Sequence, residues 1–96
     1  PDFATVKMVK SPRNIVGPVV RKLRQEKGLT QAQLVAKLNI RGWDVSRDII
    51  ARIEGQVRWV ADFEISKLTA GLGVEATELL RQALAKEQQR RPQARS

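Results

Sequence analysis

Cysteine and histidine are both missing from this chain of 96 residues. Without thiols there are no disulfides, thiolate nucleophiles or cysteine zinc ligands; without imidazole there are no histidine triads or acid–base pairs. Long apolar runs are missing too: none approaches the roughly 18 residues that a membrane-spanning helix needs. No signal-peptide pattern is visible. Nothing implies an oxidising compartment, so the expected location is cytoplasmic. The chain opens on Pro1, as expected if an initiator Met was trimmed or if this is an excised fragment. Two Trp and two Phe are the whole aromatic content, enough to anchor a small core. A chain of this length supports one domain rather than two with separate cores.

What is present argues for a folded, basic protein. Hydrophobic residues make up 42% and the net charge is +8, which directs attention to an anionic partner, nucleic acid or a membrane surface. A ribosomal or nucleosome-like protein has the same balance, so charge sets only a direction. A membrane-surface role needs a basic amphipathic helix backed by large apolar residues. The last helix expected here offers only Leu and Ala, so no membrane partner is expected.

Residues 1–13 read as a basic arm ending at Ser11-Pro12, with Val6 and Met8 on one face of a possible strand. A helical domain follows over 14–88, and 89–96 form a basic tail stopped at Pro92. Within the domain the spacing predicts five helices and no strand. The first spans roughly Ile15 to Lys27, with Val16, Val20 and Leu23 on its inner stripe and the Lys27 stem at the edge of it. Pro18 fits only its first turn and Gly28 its stop. Thr30 and Gln33 spell a capping box for the second, which carries Leu34 and Leu38 inward and ends at Asn39. After the connector Ile40–Val45, Ser46 caps a short third helix with Ile50 and Ile53 inside and a stop at Gly55. Asp62 is expected to cap the fourth, with Ile65, Leu68 and Leu72 on one face and Gly71 and Gly73 closing it. The fifth runs from about Ala76 to Gln89 and buries Leu79, Leu80 and Leu84.

The third helix carries the functional signal. Arg47, Asp48 and Arg52 fall together on the face opposite Ile50 and Ile53. One such helix fits a major groove about 12 Å wide. The N-terminus of the second helix offers free N–H groups and Gln31 to a phosphate. Each feature also has a plainer reading. The arginines can be solvated charges, and Asp48 can favour the helix N-terminus instead of accepting from cytosine. Ile49 can complete the packing instead of touching a thymine methyl. Trp43 and Trp59 read as plugs of the helical core, with stacking on nucleic acid as the alternative. No nucleophile–base pair or Gly-rich phosphate loop appears, and Glu64, Glu75 and Glu78 read as first-turn helix acids. An enzyme is not expected, and no cofactor.

Residues 15–80 resemble the repressor/Cro-type, XRE-like helix-turn-helix domains of phage and bacterial regulators. The resemblance rests on Gly17–Arg24, on Gly28-Leu29-Thr30-Gln31 followed by Leu34, on Arg52-Ile53-Glu54-Gly55, and on Leu72-Gly73-Val74 leading to Leu79-Leu80. It implies a compact five-helix bundle of the lambda-repressor-like DNA-binding type, with the helix from Ser46 in the major groove. It implies base contacts from Arg47, Asp48, Ile49 and Arg52, contacts from Thr30 and Gln31, and a backbone-phosphate site in the loop Gln56-Val57-Arg58-Trp59. It also implies a structural ion pair between Arg24 and Glu54. Three features depart from the family: the longer connector with Trp43, Val35 in place of the usual Ala, and Pro18 inside the first phrase. The expected function is that of a transcriptional regulator, most simply a repressor, acting as a homodimer on double-stranded DNA. The alternative is a protein-interaction module such as an antitoxin-like or scaffold bundle. RNA binding is a third reading, weakened by the lack of stacking aromatics.

Overall fold

In the computed structural model, residues 11–90 are described, and they form five α-helices and no strand. These are α1 (Gly17–Glu26), α2 (Gln31–Ile40), α3 (Arg47–Glu54), α4 (Asp62–Leu72) and α5 (Ala76–Arg90). The possible strand at Val6 and Met8, the rest of the arm to residue 10, and the tail with Pro92 lie outside the described residues. None of the described helices is long and apolar enough to cross a membrane.

Local sequence explains most of the helix ends. Pro18 sits in the first turn of α1, where its missing N–H costs nothing. At the other end Gly28 takes φ 72°, its N–H donates to Gln25 O and the Leu29 N–H to Arg24 O, so the orphan carbonyls of the last turn are satisfied. The Thr30 box forms as expected: the Gln33 N–H donates to Thr30 Oγ1 at 3.0 Å and the Thr30 N–H to Gln33 Oε1 at 2.8 Å.

Three of the expected caps and stops, at Asn39, Asp62 and Gly71, differ in the structure. Asn39 does not end α2, because Gly42 two residues past the helix offers the left-handed conformation more cheaply, at φ 94°. The Asn39 amide instead donates to Trp43 O and Val45 O, bracing the connector. Gly55 stops α3 as expected, and the left-handed residue comes one place later, at Gln56 with φ 64°, which costs about 1–2 kcal/mol in a side-chain-bearing residue. Bonds from Arg13 N to Gln56 O and from Gln56 Nε2 to Asn14 O hold it there. Asp62 lies inside α4, whose cap is Ala61, because Glu64 reaches back to the Ala61 N–H at 3.1 Å. Gly71 does not close α4 but is buried within it, where a Cβ would lie 2.7 Å from Leu38 Cδ2; Gly73 alone makes the turn.

Packing places α1 against α3, α4 and α5, and α2 against α3 and α4. The core contains Val16, Val20, Leu23, Leu34, Leu38, Ile50, Ile53, Leu68, Leu72 and Leu79, as the periodicity predicts, together with Val19, Val45 and Ala83. Lys27 is exposed at the end of α1. On α5 Leu79 and Ala83 are buried and Leu80 is half-buried against the core, while Leu84 is exposed, because the helix turns its 79/83 i, i+4 pair to the core. Trp43 packs half-buried against the core, but Trp59 plugs nothing and is 69% exposed.

Gly17 sets the closest helix approach: a Cβ there would lie 2.1 Å from Ile53 O. Gly17→Ala must push α1 off the end of α3. A loss of about 1–3 kcal/mol is expected, read as a lower urea midpoint; an unchanged midpoint would mean that the two helices can part at no cost.

Candidate nucleic-acid interface

The outer face of α3 is built from its cap onward. Ser46 Oγ accepts from the Ile49 N–H at 3.2 Å and fixes the first turn. Arg47, Asp48, Ala51 and Arg52 are then exposed, Ile50 and Ile53 are fully buried, and Ile49 is half-buried against the core. Asp48 and Arg52 pair with each other at 3.0 Å on the open surface. An exposed pair of this kind contributes about 0.2–1 kcal/mol, so either group can be drawn off it cheaply. The Arg47 guanidinium has no partner within the described chain.

Behind this face α3 is locked to α1. Arg24 donates from Nε to Glu54 Oε2 at 2.7 Å and from a terminal nitrogen to Glu54 Oε1 at 3.0 Å. Its other terminal nitrogen donates to Leu29 O at 2.8 Å. Both side chains are buried, 9% and 4% exposed. The hydrogen bond to Glu54 raises the Arg24 pKa further above its ordinary value, against the opposing effect of burial. Gln31 joins the same carboxylate, its Nε2 donating to Glu54 Oε1 at 3.0 Å. Three helices therefore meet at one glutamate. The hydroxyls of Thr30 and Ser46 accept backbone N–H groups and keep their own protons to donate outward.

The loop from Gln56 to Ala61 turns two expected contacts inward. Gln56 donates to Asn14 O, and Arg58 forms a two-point pair with Glu64 at 2.9 and 3.2 Å, with a further bond to Trp59 O at 3.1 Å. Hydrogen bonding to Arg58 is the main cause that holds the Glu64 carboxyl below its ordinary value, and the Arg58 guanidinium is raised in return. Glu64 is thus more than a first-turn acid.

Compared with models of known protein families and with curated protein sequences, the chain matches none. Its functional reading rests on geometry and on the residue pattern.

Sequence reasoning missed Asn14. Its Oδ1 accepts from the Gly17 N–H at 2.7 Å, and its amide donates to Ile53 O at 3.1 Å and Arg58 O at 2.9 Å. One side chain caps the start of α1 and holds the loop after α3. An Asn three residues before a Gly-Pro helix start was the available signal, since Asx residues bond forward to nearby N–H groups.

Glu54→Ala leaves Arg24 buried without its counter-charge and is expected to cost about 3–5 kcal/mol. Chemical unfolding measures it; a variant as stable as the parent would reduce the lock to decoration. For Glu64, the pKa is lowered in the folded state. Its stabilising contribution is therefore complete above the ordinary value of 4.5 and disappears as pH falls through the lower folded value. Stability curves of the parent and Glu64→Gln should differ most at neutral pH and converge in acid; parallel curves would show that the carboxylate charge contributes nothing.

Proposed function

We propose that this chain is a sequence-specific double-stranded DNA-binding protein of the lambda-repressor-like, repressor/Cro helix-turn-helix type. It would act as a transcriptional regulator, most simply a repressor that occupies a promoter. The observation that carries this reading is the outward face of α3. It is a capped helix, backed by two buried isoleucines and fixed on α1 and α2, whose exposed positions are Arg47, Asp48, Ala51 and Arg52.

In this reading α3 enters the major groove, where Arg47 is the side chain best placed to make a two-point contact with guanine. Arg52 leaves Asp48 for a base or phosphate, and Asp48 can then accept from cytosine. Ile49, at the edge of the core, lies against a thymine methyl. The Thr30 and Ser46 hydroxyls and the first-turn amides of α2 take phosphates, with Gln31 held at that turn by Glu54. The charge of +8 supplies salt-sensitive affinity. We place two copies on a pseudo-palindromic site with their α3 helices about 34 Å apart.

The protein-interaction reading is favoured by a different observation. Val57, Trp59 and Phe63 are 59%, 69% and 64% exposed within one short stretch, an unusual concentration of apolar surface beside the α3–α4 loop.

Selection from random duplex DNA at physiological salt tests the proposal: one enriched, two-fold symmetric sequence supports it, and no enrichment defeats it. On the selected site Arg47→Ala should cost about 1–3 kcal/mol and relax preference at a single base pair. Equal losses on every sequence would make Arg47 a phosphate contact and misplace α3 as the reading helix.

A further inference from the structure

Four half-buried apolar residues at the edge of the core gather in one place. Ile15, Val60, Ile65 and Leu80, from the lead-in to α1, the loop after α3, α4 and α5, wall an open groove of about 330 Å³. Trp59, 69% exposed, and Pro12 line it as well. At about 30 Å³ for each water the space is that of roughly ten waters, room for a few side chains.

Residues 1–10 join the described chain beside this groove. Arg13 N donates to Gln56 O at 3.0 Å, Gln56 Nε2 to Asn14 O at 2.9 Å, and the Asn14 amide to Arg58 O at 2.9 Å. The point of entry is therefore fixed against the loop that carries Trp59. Four of those ten residues, Phe3, Val6, Met8 and Val9, are large and apolar. Met8 and Val6 precede Pro12 by four and six positions, a reach of at most about 20 Å, so both stay near the groove. Two places apart, they share one face of an extended segment, and Pro12 disfavours a helical turn at Ser11.

We propose that this groove is the docking site of the chain's own residues 3–9, taken with Val6 and Met8 turned into it against Trp59 and Leu80. Apolar walls select an apolar occupant over a phosphate backbone, whose charges would lose water there without replacement. The tether selects this occupant among apolar ones. A segment joined at the rim is present at an effective concentration on the order of millimolar. Docking costs it none of the translational freedom that a separate peptide or a second copy loses. The assignment goes beyond the DNA-binding reading and stands without it.

The test uses the full chain without nucleic acid, so its outcome is separate from that of the DNA-binding reading. Because the chain has no cysteine, Lys7→Cys supplies a single thiol for a nitroxide label and leaves Val6 and Met8 in place. The label should broaden the amide NMR signals of Ile65 and Leu80, both remote from it in sequence, more than those of α2, which lends the groove no wall. Adding Val6→Ser and Met8→Ser should abolish that selective broadening. In the unlabelled chain the same two substitutions should move the tryptophan emission to longer wavelength, as Trp59 loses its cover. The core of the bundle forms without these two side chains, so the variant keeps its fold. Ile65 and Leu80 broadened no more than α2, or broadened equally in the serine variant, overturns the proposal. So does an emission that the serine substitutions leave unmoved. Broadening found only between a nitroxide-labelled copy and a second, isotope-labelled copy would assign the groove to contact between copies and overturn it as well.

Discussion

The Arg24–Glu54 pair stands where α1, α2 and α3 converge, and the presentation of α3 depends on its geometry. Apolar packing of Ile50 and Ile53 presses α3 onto the core, but such packing is non-directional and tolerates rotation about the helix axis. A planar guanidinium meeting a carboxylate at two points does not. The same carboxylate holds Gln31 and the same guanidinium holds Leu29 O, so the turn into α2 is registered against the end of α3. Desolvating both charges is costly, and the network is worth its cost only as a complete unit. What it secures is the angle at which α3 holds its exposed residues.

A second set of contacts gathers at the same C-terminal end of α3. Gln56 donates to Asn14 O and the Asn14 amide donates to Ile53 O and Arg58 O across the start of α1, while Gly17 lets the backbones come together. The left-handed Gln56 is part of this arrangement, a local cost sustained by bonds that only the assembled helices provide.

The basic composition overstates the charge that is free to act. Arg24 and Arg58 are committed to buried or half-buried carboxylates, and Arg52, Arg81 and Arg90 pair with acids one turn away. Arg13 and Arg47 are among those without a partner. Counting lysines and arginines indicates an anionic partner, but which cations are available is a property of the fold. Arg58 is the instructive case: its carboxylate lies six positions ahead, across a loop, where no helical spacing rule pairs them.

Five helices, their caps at Thr30 and Ser46, the stop at Gly28 and most of the core were readable from the chain alone, because each depends on residues within about two helical turns. Periodicity also singled out the α3 face, since inward isoleucines and outward charges alternate within eight residues. Tertiary structure decided the rest. Whether α5 buries Ala83 or Leu84 depends on which neighbour its face meets, and Asn39 lost the helix end once Gly42 was free to make the turn. Asn14 finds Ile53 and Arg58 across separations of 39 and 44 residues. Contacts at that range leave no period and no cap to read, because they exist only after the helices have packed.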